Sequence, residues 1–456
     1  MGKDLSFKFK NAYDVCDEAE VKNIYDYAEG YRDFLNNAKT ERDAVKKAIA
    51  LAEKEGFKEY KLGDKIEKGG KYYCNNRNKS LYVFVIGKED ITNGIRISAA
   101  HIDSPRIDLK QNPLYQDGEM AFFKTHYYGG IKKYQWTTIP LAIHGVVVKE
   151  NGETVDVCIG EDDNDPIFYV TDLLPHLGKD QMSKTMSEGV TGESLNILVG
   201  SKPEGDGDDK LRSGVLAILN EKYGITEADF VSSELTCVPA YKVRDVGFDR
   251  SLLGGYGHDD KVCSYPALTA IFEASKTQPE HTLMAILADK EEIGSCGNTG
   301  MKTAYFVDLI AEIADQLGAN ERIVRANSKC LSADVNAAYD PNYSEVYEKK
   351  NCGYVNKGVV ITKFTGARGK SGSSDASAEY LGFIRKILNE AGVVWQHAEL
   401  GKVDQGGGGT VASYIAEKNI DTIDMGVGVL SMHAPYEVIS KADLYMTHKA
   451  FAAFNK

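Results

Sequence analysis

Hydrophobic and polar residues follow two different periods along this chain, and the change of period divides it. At 40–55 the apolar residues Val45, Ala48, Ile49 and Ala52 recur at i, i+3, i+4 and i+7. Thr40 stands where a cap belongs and Gly56 stops the run, so a helix is expected there. The runs 80–86 (SLYVFVI) and 95–100 (IRISAA) read as strands parted by a turn at Thr92-Asn93-Gly94. From Lys110 to about Ser232 aromatic-rich alternating runs at 120–128, 136–148 and 154–159 are separated by short turns, Asn151-Gly152 being a hairpin signal. The acidic glycine stretch 204–209 in this part reads as a flexible loop. After Leu235, short apolar strands at 282–288, 359–361 and 420–429 alternate with helical stretches at 376–388 and around 262–275. Strand–helix alternation on both sides of a β-rich segment predicts an α/β fold with a mixed central sheet flanked by helices and an inserted β-rich domain. The expected boundaries are 1–109 and 235–456 for the α/β domain and 110–234 for the insertion.

Composition narrows the function mainly by exclusion. The chain has 456 residues, long enough to bury a large core without disulfide or metal staples. Hydrophobic residues make up 43% and charged residues 27%, which excludes a largely disordered chain. The net charge of −13, from 67 acids and 54 bases, argues against a nucleic-acid binder. No apolar run approaches a membrane span and the start (MGKDLSFKFKNAYD) has no apolar signal core, so neither a membrane partner nor export is expected. The eight cysteines are scattered without a Cys-x-x-Cys pair and read as reduced, mostly buried thiols of a cytoplasmic protein.

The informative feature is where polar residues follow apolar strands. The run 95–100 leads into His101-Ile102-Asp103-Ser104-Pro105, and 282–288 leads into Asp289-Lys290-Glu291-Glu292-Ile293-Gly294-Ser295. Cys330-Leu331 leads into Ser332-Ala333-Asp334, and the strand ending at Leu430 leads into Ser431-Met432-His433. A fifth segment, Gly257-His258-Asp259-Asp260-Lys261, lies between a glycine-rich turn and an apolar helix. Open α/β sheets bind ligands just beyond the carboxyl ends of their strands, so these distant residues can converge.

Two histidines with three or more carboxylates suit Zn²⁺, and also Mn²⁺ or Co²⁺. Adjacent acids such as Glu291-Glu292 are costly to bury together unless a cation neutralises one. A dinuclear site accounts for the pair: one Glu binds metal while its neighbour stays free to work on water. A carboxylate that takes the proton of that water and hands it to a leaving amine hydrolyses a peptide bond. Taken singly, each element is ordinary, since acidic doublets are usually solvated surface and a lone His beside Met is usually a packed residue. Their joint order carries the argument.

At these residues the sequence resembles the aspartyl-aminopeptidase-like metallopeptidases (family eighteen), over about 15–452. The Glu-Glu-Ile-Gly-Ser and Ser-Ala-Asp blocks together are the most specific part. The resemblance implies a zinc-peptidase-like fold and an aminopeptidase with two divalent metal ions per chain, zinc first and cobalt or manganese as alternatives. It implies that His101 and Asp334 hold one metal, Glu292 and His433 the other, and that Asp259 bridges them. Glu291 would be the general base and Asp103 would orient His101 through its second ring N–H. The peptide bond between Asp259 and Asp260 would be cis. The β-rich insertion would be a dimerisation domain, with dimers assembling to a homo-dodecamer that admits short peptides. A histidine from a partner's insertion reaches the active site in such enzymes, and His176 is the candidate.

The chain departs from the family pattern at two places. Asp259-Asp260 replaces an Asp-Asn pair and so adds a negative charge near the metals. The run Gly406-Gly407-Gly408-Gly409-Thr410 replaces a Gly-Ser-Thr turn. It lacks the Lys of a P-loop and is placed, through Gly408, along the substrate backbone. Lys370 is a candidate for selecting the first side chain. A carboxypeptidase or N-deacylase on a similar dinuclear core is the alternative, with Arg106 or Arg368 available for a terminal carboxylate. A catalytically silent binding protein on the same fold would be expected to lack a ligand position, and none is lacking.

Overall fold

The computed structural model describes residues 5–204 and 207–456, which fall into two compact units. The first takes the chain up to Asp103, Val243–Met432 and Glu437–Lys456; the second takes Ser104–Lys242 and His433–Tyr436. Both joins lie further out than the change of texture at 109/110 and 234/235 suggests. The reason is pairing: the strand Arg106–Asp117 is joined to Ser233–Pro239 at Asp108↔Thr236 and Ile107↔Cys237, so both flanks belong to the second unit's sheet.

The first unit is built on nine strands: β1 (Lys58–Glu59), β2 (Lys71–Asn76), β3 (Ser80–Val85), β4 (Ile95–His101), β5 (Thr282–Ala288), β6 (Lys329–Ser332), β7 (Val359–Thr362), β8 (Trp395–His397) and β9 (Asp421–Gly426). Their spatial order is β1-β2-β3-β5-β4-β6-β9-β7-β8. The four inner strands β5, β4, β6 and β9 are mutually parallel, while β3 and β7 join them antiparallel, which makes the sheet mixed. The turn at residues 92–94 does connect β3 to β4, but the two are not neighbours, because β5 lies between them. Every residue of β3 and β5 is buried, and strands apolar on both faces belong in the interior of a sheet.

Period-two alternation feeds two apolar cores. Leu81, Val83 and Val85 face one, and Tyr82, Phe84 and Ile86 face the other. Helices Glu18–Asn36, Glu41–Lys54, His258–Ala274 and Lys441–Phe454 contribute to the first core, and Tyr305–Gln316 and Glu321–Asn327 to the second. The helix expected at 40–55 spans Glu41–Lys54 and starts on a reciprocal cap between Thr40 and Asp43. It is not the first: Glu18–Asn36 precedes it, capped by Asp17 and burying Ile24, Ala28, Tyr31, Phe34 and Leu35. The strand expected at 420–429 divides at Val427. Asp421–Gly426 stays in the nine-stranded sheet, and Gly428–Leu430 joins a separate five-stranded one.

The second unit carries a seven-stranded antiparallel sheet. Its runs Met120–Tyr128 and Thr154–Ile159 lie where alternation places them, whereas the run from Trp136 begins as a 3-10 turn and becomes strand only over Pro140–Val148. The strands Pro140–Val148 and Thr154–Ile159 pair across the turn holding Asn151-Gly152, where Gly152 has φ +85°. A helix, Lys210–Tyr223, follows the acidic stretch, of which Gly205 and Asp206 lie outside the described residues. All eight cysteines are unpaired; Cys158 and Cys296 are exposed, and five are buried. No described helix is long and apolar enough to cross a membrane.

Candidate metal centre

The parallel strands β5, β4 and β6 bring their carboxyl ends to one edge of the first unit's sheet, with Ala288 opposite His101 and Ser332 opposite Ala99. His101 is the last residue of β4, and Asp334 stands two residues past β6. Beyond β5 the chain turns sharply through Lys290 (φ +65°) and Gly294 (φ +93°), which bracket the 3-10 turn Glu291–Ile293. Asp259 enters at the start of the helix His258–Ala274, after Gly257 in the left-handed region. The Asp259–Asp260 peptide is cis.

Two overlapping groups result. Ligand atoms of His101, Asp259 and Glu292 lie within 4.8 Å of one another, and so do those of His101, Glu291 and Asp334. Nδ1 of His101 faces the Asp103 carbonyl oxygen at 3.0 Å and its carboxylate at 3.3 Å. Both are acceptors, so that nitrogen carries the proton and Nε2 is turned to Asp259 Oδ1 at 3.1 Å. The Asp103 carboxylate also accepts the backbone N–H of Glu291 at 3.1 Å and of Glu292 at 3.2 Å. One fully buried acid thus ties the end of β4 to the turn after β5.

The electrostatics of this cluster call for a cation. Burial, and then repulsion from Asp260 and Glu291, push the Asp334 carboxyl well above the usual carboxylate range. Burial alone would lower the His101 imidazole, but its bonds to the Asp103 and Asp259 carboxylates outweigh that and hold it well above its ordinary value. Nε2 of His101 and Oδ1 of Asp259 thus face each other within a group of atoms that could hold a divalent ion. The donor set of one imidazole and several carboxylates suits zinc, and each added positive charge relieves the repulsion among the acids.

Asp260, where the sequence places an extra acid, is fully buried beside His101. Burial pushes its carboxyl well above the usual carboxylate range, against the opposing effect of the His101 backbone N–H, which its Oδ2 accepts at 3.3 Å. Glu437 has a role that no motif marks: its Oε2 accepts the Asp259 N–H at 3.1 Å, from a buried position on the strand Glu437–Ser440. Nearby, the buried His258 Nδ1 meets the Tyr31 hydroxyl at 2.9 Å.

Gly426 in β9 shows how tightly Asp334 is held. A Cβ there would lie 2.0 Å from the Asp334 carbonyl oxygen and 2.9 Å from Cys263 Sγ. Gly426→Ala is expected to cost about 1–3 kcal/mol by overpacking and to lower metal content, read by denaturant midpoint and metal analysis. An unchanged metal content would show that Asp334 is not positioned through this contact.

His433 (φ +65°) belongs to the second unit, where its Nδ1 donates to the Gly130 carbonyl oxygen at 2.8 Å; it is in neither group of the cluster. His176 is exposed in the second unit, between Phe168–Val170 and Lys179–Met182. Lys370 bonds Asp375 at 3.0 Å and stands 3.9 Å over the Phe364 ring. Gly407-Gly408 pairs with Gly366-Ala367 as a two-stranded ribbon. Of the two arginines weighed for a terminal carboxylate, Arg106 bonds Asp108 and stands over Tyr128, while Arg368 is exposed.

Residues 34–455 match the family described as Aminopeptidase I zinc metalloprotease (M18). The chain is 50% identical to a probable M18 family aminopeptidase 1 of Clostridium acetobutylicum, over 100% of this chain and 99% of that protein. Its fold superposes on the crystal structure of an M18 family aminopeptidase from Thermotoga maritima with a TM-score of 0.94 at 43% identity, covering 99% and 100% of the two chains. The S. cerevisiae mApe1 dodecamer, at 22% identity, a TM-score of 0.79 and coverage of 95% and 97%, shares the fold.

Proposed function

The chain belongs to the aminopeptidase I zinc metalloprotease family (M18) and is a metallo-aminopeptidase; from that premise we propose that it removes N-terminal residues from short peptides at a two-metal centre with Glu291 as the base. The observation that carries this is the pair of ligand groups sharing His101 at one sheet edge. His101, Asp259, Glu292 and Asp334 would hold two zinc ions, with cobalt or manganese able to replace them. His433 joins them as a ligand on the strength of the family resemblance. Bound metal would supply Lewis acidity, polarising the peptide carbonyl and acidifying water. Asp103 keeps the His101 proton on Nδ1 and so reserves Nε2 for a metal. Glu291 lies within 4.8 Å of His101 and Asp334, so it can take the proton of the attacking water and deliver it to the leaving amine.

Gly408 keeps its place along the substrate backbone in this reading, supported by what the other glycines do. A Cβ on Gly406 would sit 1.6 Å from the Leu400 carbonyl oxygen, and on Gly407 2.5 Å from that of Gly366, so these two are glycines for packing. A Cβ on Gly408 meets only Leu400 Cδ2 at 3.4 Å, and on Gly409 nothing within 4 Å. Lys370, whose ammonium now meets Asp375, would help select the first side chain of the substrate. The second unit is proposed as a dimerisation domain in a cytoplasmic homo-oligomer, a dodecamer as in the yeast relative, with His176 reaching a partner's active site.

The test is hydrolysis of unblocked aminoacyl amides and short peptides beside their N-acetylated forms. Cleavage is expected from the free amino end only. Release of carboxyl-terminal residues, or turnover of the N-acetyl substrates, would replace this reading with the carboxypeptidase or deacylase.

A further inference from the structure

A cavity of about 480 Å³ lies in the first unit, where the chain leaves β7 and β8, walled by Phe7, Phe364, Leu381 and Trp395 and carrying Arg385 and Glu399. It is not part of the metal centre. β7 runs antiparallel to β9 and β8 parallel to β7, so Phe364 and Glu399, which follow them, leave the sheet at the edge opposite the metal ligands. The walls come from three directions. Leu381 and Arg385 share one face of the helix Ala378–Glu390 at i, i+4. Trp395 projects from the edge strand β8, and Phe7 stacks on its ring at 5.5 Å.

Three charged side chains line this apolar site; Lys363 is held by Asp375, and the other two, Arg385 and Glu399, have opposite sign. The Arg385 guanidinium stands 5.9 Å from the Trp395 ring centre and has no carboxylate partner among the described residues. The Glu399 carboxylate likewise has no cationic partner among them; its backbone N–H donates to the Asn351 carbonyl oxygen and its carbonyl oxygen accepts the Gly401 N–H. A guanidinium is the best side chain for a free carboxylate, a carboxylate accepts from an ammonium group, and aromatic walls suit a large apolar body. A cavity of several hundred Å³ matches a small molecule. We propose that this cavity binds a free amino acid with an aromatic or large aliphatic side chain, its carboxylate on Arg385 and its ammonium on Glu399. A simple apolar carboxylate would leave Glu399 unmatched, and an amine would leave Arg385 unmatched. Free amino acids are what an aminopeptidase releases, a connection that rests on the proposed function, whereas the binding itself does not.

The test is titration calorimetry of the full metal-loaded chain with L-phenylalanine, repeated after chelation to remove binding at the metal centre. Saturable binding is expected in both. Arg385→Gln and Glu399→Gln should each weaken it at least about tenfold, as loss of a charged hydrogen bond does. On the chelated chain, N-acetyl-L-phenylalanine and L-phenylalaninamide should be weakened similarly, and L-alanine more. Both variants keep the wild-type peptidase rate without added amino acid, which shows that they fold. No binding, binding lost entirely on chelation, or indifference to both substitutions would overturn the proposal, and none of these bears on whether peptides are hydrolysed.

Discussion

Glu291→Gln is expected to keep its full metal complement while turnover falls by about 10²–10⁴-fold, the range for losing a general base. The substitution is isosteric, and the backbone N–H of residue 291 still reaches the Asp103 carboxylate, so the turn Glu291–Ile293 keeps its shape. What changes is one acceptor of a proton. KM should therefore move little, because an interaction lost only on the way to the transition state lowers kcat and kcat/KM together. Glu292→Gln, one residue along, should instead reduce metal content, since Glu292 stands with His101 and Asp259. Paired metal analysis and steady-state kinetics on the two variants separate a base from a ligand. A Glu291→Gln enzyme with near-normal rate would remove Glu291 from that role.

The adjacency of two acids at the sheet edge was legible in the sequence because both follow an all-apolar strand. β5 reads as TLMAILA and ends where the polar run begins, and β4 and β6 do the same before His101 and Asp334. Strand ends of this kind predict a common edge whatever the order of the strands. The order itself was not legible. The turn at residues 92–94 links β3 to β4 along the chain, yet β5, buried on both faces, lies between them. The run toward Leu430 failed as a single strand for another reason: nothing local marks Val427 as the point where the chain changes sheets. The supporting groups were hidden too. Nothing local marks Asp260 as the acceptor of the His101 N–H, and Glu437 looks like one more strand residue. Gly426 gives no signal at all, since the requirement for glycine comes from the Asp334 carbonyl oxygen, 92 positions earlier.

Removing metal should abolish hydrolysis and also make stability depend on pH in a predictable direction. Chelation is expected to eliminate aminopeptidase activity, and zinc, cobalt or manganese to restore it. In the metal-free chain the Asp334 and Asp260 carboxyls and the His101 imidazole all sit above their ordinary values. For such groups the folded chain holds protons that the unfolded chain releases. Their contribution to stability is complete below the unfolded values and is lost as pH rises through the raised folded ones. The metal-free midpoint should therefore fall as pH rises. Metal bound by the same groups becomes tighter as their protons leave, so the loaded midpoint falls less. Asp424, raised by burial to about 6, and Asp443, raised to about 8, titrate in both forms and cancel in the comparison. The gap between loaded and stripped protein should widen from pH 6 to pH 8, reaching about 4 kcal/mol where free metal exceeds its dissociation constant a thousandfold. Thermal melts at the two pH values measure it. A gap that stays constant, or a midpoint unmoved by chelation, would mean that the acids at this edge reach charge balance without a cation, and the metal centre would go with that result.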